Sequence, residues 1–408
     1  MIPDWTPMRW PAAWKSASAL ELLEGTPINY LIGADAAIAT QAEKSGLTVL
    51  QKEAKPEGIA VFEGIWPGIK IARFGALNAV SAGPTGAPWV DSNFWPVRLA
   101  RARQPETPVW IRTKPDAQQG GAALPYIVAI ADAALGGARW IIQLDETLAA
   151  AIAGRQPAAL AIWQRIASTA GYFAARRAWT DYVPEAVVGV LSDFATAADE
   201  ELLNLITRSG QQYRVIPNAI PNERFDPAAL AGLRAIVLPG KDAPPPPIRA
   251  ALMVFVSKGG LLIAGDAWGA TPGAAPKDAT HPRFTLFTLG SGSIAIAKTG
   301  QTDPYMLAED SAILVSHRYD ILRFWNGGAM TAYYSAAPDR RRALLQILFY
   351  ADQPPEDASV RIAGAWRSAR LSTLAQPGPQ PVHTEQQEGA IEIHLPRVAQ
   401  FAAIELEA

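Results

Sequence analysis

The chain has 408 residues, with 36 basic against 38 acidic side chains, a net charge of −2 and no cysteine. Near-neutrality gives no electrostatic footprint for nucleic acid or an anionic membrane. The missing cysteine excludes disulfides, thiolate nucleophiles, iron–sulfur clusters and cysteine-built zinc sites. Hydrophobic residues at 49% and charged residues at 18% mark a packed globular protein of two or three domains, not a disordered or coiled-coil chain.

Taken in chain order, the first 180 residues alternate short apolar runs with amphipathic stretches. Strands are expected at Pro27–Ile32, Leu47–Leu50, Ile59–Phe62, Ile69–Ala72, Pro108–Ile111 and Arg139–Leu144. Their continuous apolar character suits parallel strands buried on both faces. Helices fit Ala17–Glu24, Ala34–Ser45, Pro96–Arg103, Tyr126–Leu135 and Pro157–Trp179. About six strands fall short of a full eight-stranded barrel of roughly 250 residues, so a reduced or incomplete barrel is expected.

Near Thr180–Glu185 the pattern restarts. Strands at Ala186–Leu191, Gln212–Ile216, Arg234–Leu238 and Leu261–Ala264 alternate with helices near 197–208, 227–231 and 247–258. This is the pattern of a doubly wound open sheet, with Arg283–Leu289 and Ser291–Lys298 as a closing hairpin. Beyond about residue 310 come eight short strand-like runs, the first at Ile313–Ser316 and the last at Phe401–Leu406, as in an antiparallel sandwich. No apolar run approaches the ~20 residues of a membrane span, and the start at Met1 lacks the basic and apolar regions of a secretory signal. The compartment is left open.

In parallel α/β layers, ligands bind outside the carboxyl ends of the strands, which singles out the polar residues found there. Glu63 follows the run Ile59–Phe62 and precedes a loop holding Trp66. Asp145 and Glu146 follow Arg139–Leu144. Asp91 and Asn93 lie between Trp89 and Trp95, and Arg112 leaves the strand Pro108–Ile111. Ten of the 13 tryptophans fall in the first 179 residues. Indole faces stack on sugar rings, though they fill cores equally well. Paired carboxylates among tryptophans are what glycoside hydrolysis requires: one acid protonates the leaving oxygen, and one carboxylate attacks or activates water. The competing reading makes Asp145, Glu63 and Asp91 caps of the helices that follow them. Asp193 reads as a helix cap too.

The four histidines, His281, His317, His383 and His394, follow no metal-binding spacing, and neither a dinucleotide fingerprint nor a P-loop occurs, so no metal and no cofactor are expected. The loop Gly265–Gly269 holds no serine or cysteine for a nucleophile elbow.

The stretches Ala186–Asp193, Arg234–Pro239, Phe255–Ala264 and Leu286–Ile296 are similar to the trimerisation domain of family 42 beta-galactosidases, which is akin to class I glutamine amidotransferases. The order of parts resembles that family as a whole. The resemblance implies a catalytic barrel ahead of a flavodoxin-like domain that serves self-association. Without cysteine that second domain has no amidotransferase nucleophile. The family's acid/base sits in an Asn-Glu pair, which occurs here only as Asn222-Glu223, outside the barrel-like part.

The combined expectation is an α/β multidomain chain. It has a reduced or incomplete TIM-type barrel over 1–184, a flavodoxin-like doubly wound domain over 185–304 and an antiparallel β-sandwich over 305–408. The expected function is carbohydrate-active, with Glu63 and Glu146 as the carboxylate pair and Asp91, Asn93, Arg112, Asp145, Trp66, Trp89 and Trp95 shaping the saccharide site. The runner-up is a non-catalytic saccharide-binding or assembly protein on a degenerate scaffold. A nucleotide- or flavin-binding domain is a third reading.

Overall fold

The computed structural model describes residues 5–50, 56–69, 90–115, 122–218, 225–240, 242–277, 279–300, 303–351, 353 and 355–408. It is a mixed α/β chain with several sheets and no closed barrel among the described residues. In the amino-terminal part, Pro7–Arg9, Tyr30–Ile32 and Thr48–Leu50 form one parallel ladder, and Ala60–Glu63, Val109–Arg112 and Arg139–Trp140 form another. A parallel bridge between Met8 and Ile142 joins them, with Ile142 N–H donating to Pro7 O and Arg9 N–H to Ile142 O, both at 2.9 Å. The result is an arc of six parallel strands in the order Thr48–Leu50, Tyr30–Ile32, Pro7–Arg9, Arg139–Trp140, Val109–Arg112 and Ala60–Glu63, with no ladder between its two ends among the described residues.

Helices Ala123–Leu135 and Pro157–Ala174 cover this arc. The second starts with Pro157 at its first position, where no backbone N–H is needed. The strand Pro7–Arg9 was not foreseen, because three residues opening on a proline carry no periodicity. Of the expected strand Ile69–Ala72, only Ile69 lies within the described residues, at the end of the strand Gly68–Ile69.

The central sheet has parallel strands in the order Tyr213–Pro217, Val188–Ser192, Ala235–Leu238, Leu261–Ala264 and Gly292–Ala297, extended by the antiparallel strands Phe284–Leu289 and Ala275–Pro276. The four inner apolar runs of the sequence become these strands because both faces are covered. Val190, Ala235 and Ile263 pack toward helix Ala197–Arg208, and Leu191, Ile236 and Leu262 toward helix Pro246–Ser257. The helix cap after the first strand is Thr196, accepting from Asp199 N–H, whereas Asp193 makes only a local turn to Ala195 N–H at 3.0 Å.

The carboxy-terminal part has two antiparallel sheets packed face to face, with Val360, Ile362, Ile391 and Ile393 of one against Leu345, Ile347, Ala402 and Ile404 of the other. Ile313–Ser316, expected as a strand, instead ends the helix Pro304–Val315, whose Leu307, Ala308 and Val315 join the central core. A short apolar run cannot be told from a buried helical turn by periodicity alone.

The three parts are tied together. Val183–Pro184 pairs antiparallel with Ser335–Ala336 at the edge of the carboxy-terminal sheet. The other face of that sheet supplies Tyr333, Leu344, Leu348 and Phe401 to the amino-terminal core. Arg98 on helix Phe94–Arg103 is buried at their meeting point, its guanidinium 4.1 Å from the ring centre of Tyr213, 5.2 Å from Tyr333 and 5.4 Å from Phe94. It also donates to the Tyr213 carbonyl oxygen.

Candidate functional site

The carboxyl ends of the six parallel strands form one mouth. Glu63 ends Ala60–Glu63, and Arg112 ends its neighbour Val109–Arg112, with the two residues in register. Their side chains form an ion pair, 66% and 47% exposed respectively, so the pair faces solvent. Arg9 ends the strand on the other side of Arg139–Ile142, and its charge is coupled to both. Partial burial and repulsion from Arg112 lower its pKa, and attraction to Glu63 opposes them. Round the mouth the order is therefore Arg9, Arg112 and Glu63, two cations and then an anion. Gly64 permits the sharp departure after Glu63, since a side chain there would collide with Ile111 and Asn93.

Asp145 and Glu146 follow Arg139–Trp140, the last of the six parallel strands in the chain. Asp145 is the N-cap of helix Glu146–Ala153: its Oδ1 accepts from Leu148 N–H at 2.8 Å and its Oδ2 from the Tyr126 hydroxyl at 2.9 Å. Tyr126 in turn accepts the Asp145 N–H at 2.9 Å. Burial pushes the Tyr126 phenol above its ordinary range. Glu146, in the first turn of that helix, is exposed and makes no hydrogen bond or ion pair with a described residue. Trp66 is half-buried, edge-on to Tyr126 and Trp140 at 5.4 and 5.2 Å, and its Nε1 is buried without a hydrogen-bond partner among the described residues.

Other expected ligand residues are engaged elsewhere. Asn93 is 1% exposed, and its amide is fully used: Oδ1 accepts from Ile65 N–H at 2.8 Å, and Nδ2 donates to Ile65 O at 2.9 Å and to Asp132 Oδ2 at 3.0 Å. It holds the loop after Glu63 in place and has no polar atom left for a sugar. Asp91 does not cap the following helix but lies 3.4 Å from Arg208 of the central part. Trp95 packs against the central core. Trp89 lies outside the described residues.

Much of the tryptophan enrichment is core. Trp10, Trp14, Trp110, Trp140 and Trp163 are buried, and Trp14 stacks edge-on between Trp10 and Trp163.

A second polar centre was missed by sequence reasoning. Asp132, in the middle of helix Ala123–Leu135, is fully buried and accepts from Ser92 Oγ (2.5 Å), Asn93 N–H (2.7 Å), Asn93 Nδ2 (3.0 Å) and Tyr350 Oη (2.7 Å). Burial pushes its carboxyl above the usual carboxylate range, and the four donors oppose that shift. An aspartate in an alanine-rich helix carries no sequence signal for such a role.

No protein-family profile matches the sequence, and no curated protein sequence matches it. Solved structures do. An alpha-L-fucosidase isoenzyme 2 from Paenibacillus thiaminolyticus aligns with a TM-score of 0.56 at 13% identity, over 91% of this chain and 70% of that one. A rhamnosidase from Novosphingobium sp. PP1Y aligns with a TM-score of 0.51 at 10% identity, over 91% of this chain and 38% of that one. A beta-galactosidase from Bacillus circulans sp. alkalophilus aligns more loosely, with a TM-score of 0.48 at 10% identity, over 75% of this chain and 61% of that one. The first two likenesses define a glycoside hydrolase-like fold. The chain spans between 38% and 70% of the lengths of these three proteins.

Proposed function

We propose that the chain is a carbohydrate-active protein that binds a saccharide at the mouth of its parallel strands and hydrolyses a glycosidic bond there with Glu63 and Glu146. In this reading the six-stranded arc is an incomplete TIM-type barrel, the central sheet a flavodoxin-like domain serving self-association, and the carboxy-terminal part a β-sandwich. The observation that carries the proposal is the placement of Glu63 and Arg112 at adjacent strand ends, two strands from the segment that bears Glu146.

Neighbouring strands lie about 4.8 Å apart, so the strand that ends in Glu63 and the strand that leads to the Glu146 helix stand roughly 10 Å apart. Side chains leaning over the mouth then reach the separation of about 6.5–9.5 Å used by inverting glycosidases. Glu63, paired with Arg112, is the base that activates water. Glu146 is the proton donor to the leaving oxygen. Arg9 and Arg112 donate to sugar hydroxyls, and Trp66 offers an apolar face.

The test is a panel of aryl fucosides, rhamnosides and galactosides with the wild type, Glu63→Gln and Glu146→Gln. Hydrolysis that falls at least about 100-fold in each variant supports the assignment. Unchanged turnover in both variants overturns it, and saccharide binding without turnover in the wild type removes catalysis while leaving the ligand site.

A further inference from the structure

The outer sheet of the carboxy-terminal part ends in a hairpin, His383–Gln387 and Ala390–His394, closed by a turn with Gly389 at φ +67°. Its register sets His383 opposite His394 and Glu385 opposite Glu392. Directly paired residues share a face, and alternate residues of a strand share it too. Ile391 and Ile393 take the opposite face into the core with 0% exposure, which turns His383, Glu385, Glu392 and His394 outward together.

Their ligand atoms are close. One ring nitrogen of each histidine and one Glu385 carboxylate oxygen lie within 4.8 Å of one another, and the two imidazole centres are 4.8 Å apart. His394 Nε2 lies 3.2 Å from Glu385 Oε1, at ion-pair distance, and is buried with no well-aligned hydrogen bond to a described residue. Glu392 is held aside by Ser359 Oγ at 3.1 Å and Gln387 Nε2 at 2.6 Å.

We infer that His383, Glu385 and His394 form a site for one divalent transition-metal ion, of which zinc is the best match, on the edge hairpin of the carboxy-terminal sheet. Two neutral imidazoles and one carboxylate are a donor set for zinc, and a water completes four-coordination. Zinc–ligand bonds of about 2.0–2.2 Å require the three atoms to draw in to roughly 3.4 Å from each other. Side-chain rotation on an exposed strand supplies that without moving the backbone. The ion then staples the edge strand His383–Gln387 to its neighbour, where hydrogen bonding on one side alone leaves it weakly held. The sequence alone hides this set, because only the hairpin register brings His383 and His394 together.

The experiment is zinc titration of metal-free full-length protein against a chromophoric chelator, with amide hydrogen exchange over 383–394 as a second readout. Saturation at one zinc per chain is expected, with slowed exchange in the edge strand. Affinity falls at least about 100-fold in His383→Ala and His394→Ala and at least about tenfold in Glu385→Gln. His317→Ala, which removes an exposed histidine elsewhere, leaves it unchanged. No saturable binding up to about 0.1 mM zinc overturns the inference, as does stoichiometric binding retained in the double variant His383→Ala/His394→Ala.

Discussion

Replacing Asp132 by alanine tests whether the buried polar centre joins the amino- and carboxy-terminal parts. The carboxylate accepts four hydrogen bonds, three from the Ser92–Asn93 segment and one from Tyr350. On truncation, Asn93 Nδ2 keeps Ile65 O at 2.9 Å, and the Tyr350 hydroxyl keeps long contacts to Ser92 and Thr331 at 3.2 and 3.3 Å. The Asn93 N–H and the Ser92 hydroxyl hydrogen lose their acceptor outright. At about 1–3 kcal/mol for each stranded donor, and with partial losses at the other two, Asp132→Ala costs about 3–5 kcal/mol.

Asp132→Asn is nearly isosteric. Its oxygen still accepts the two Asn93 donors, and its amide faces hydroxyls that can rotate to accept, so it costs about 1–2 kcal/mol. Urea unfolding followed by tryptophan fluorescence, read at the first transition, measures both. An Asp132→Ala cost below about 1 kcal/mol, or one equal to that of Asp132→Asn, refutes the reasoning.

The same group gives a pH signature. Burial raises the folded-state pKa of Asp132 above its unfolded value, so its contribution to stability is complete at pH below the unfolded value and is lost as pH rises through the folded one. Wild-type stability relative to Asp132→Asn therefore declines on raising pH from about 4, and a rising difference contradicts the assignment.

Two further outcomes follow from close packing. Arg98→Met removes a buried guanidinium that stacks on Tyr213 and donates to its carbonyl; it lowers stability by about 2–4 kcal/mol, and Arg98→Lys does not restore it, because an ammonium lacks the planar fork. Equal denaturation midpoints for wild type and Arg98→Lys would count against this. Gly292→Ala puts a methyl group against the carbonyl oxygens of Val256 and Gly260, which are backbone atoms and cannot swing aside, so it costs more than about 3 kcal/mol; soluble, wild-type-like melting of that variant would show that the sheet gives way easily.

What the residues disclosed in advance divides along physical lines. Val188–Ser192, Ala235–Leu238 and Leu261–Ala264 were legible because strands buried on both faces must be continuously apolar. Glu63 was legible as a strand-end residue, since one parallel strand suffices to say which end it occupies. Asn93 was misjudged because its role is set by Ile65 and Asp132, which the fold alone brings to it. Asp132 itself depends on Tyr350, 218 residues away in sequence, and nothing local announces such a partner. Trp14 and Trp163 carried a compositional signal whose meaning, core or ligand, depends on burial that composition does not encode.

The short pairing of Val183–Pro184 with Ser335–Ala336 carries a consequence for motion. Segments that connect two parts of a chain are usually where hinges lie, and relative movement of such parts is the default expectation. Here that connector is itself stitched into a third part, and Gln212 adds a second stitch through Tyr334 N–H and Ala332 O. Swinging the central sheet away from the arc would tear an edge strand from the carboxy-terminal sheet. The pairing and the Gln212 contacts therefore favour the three parts moving as one block.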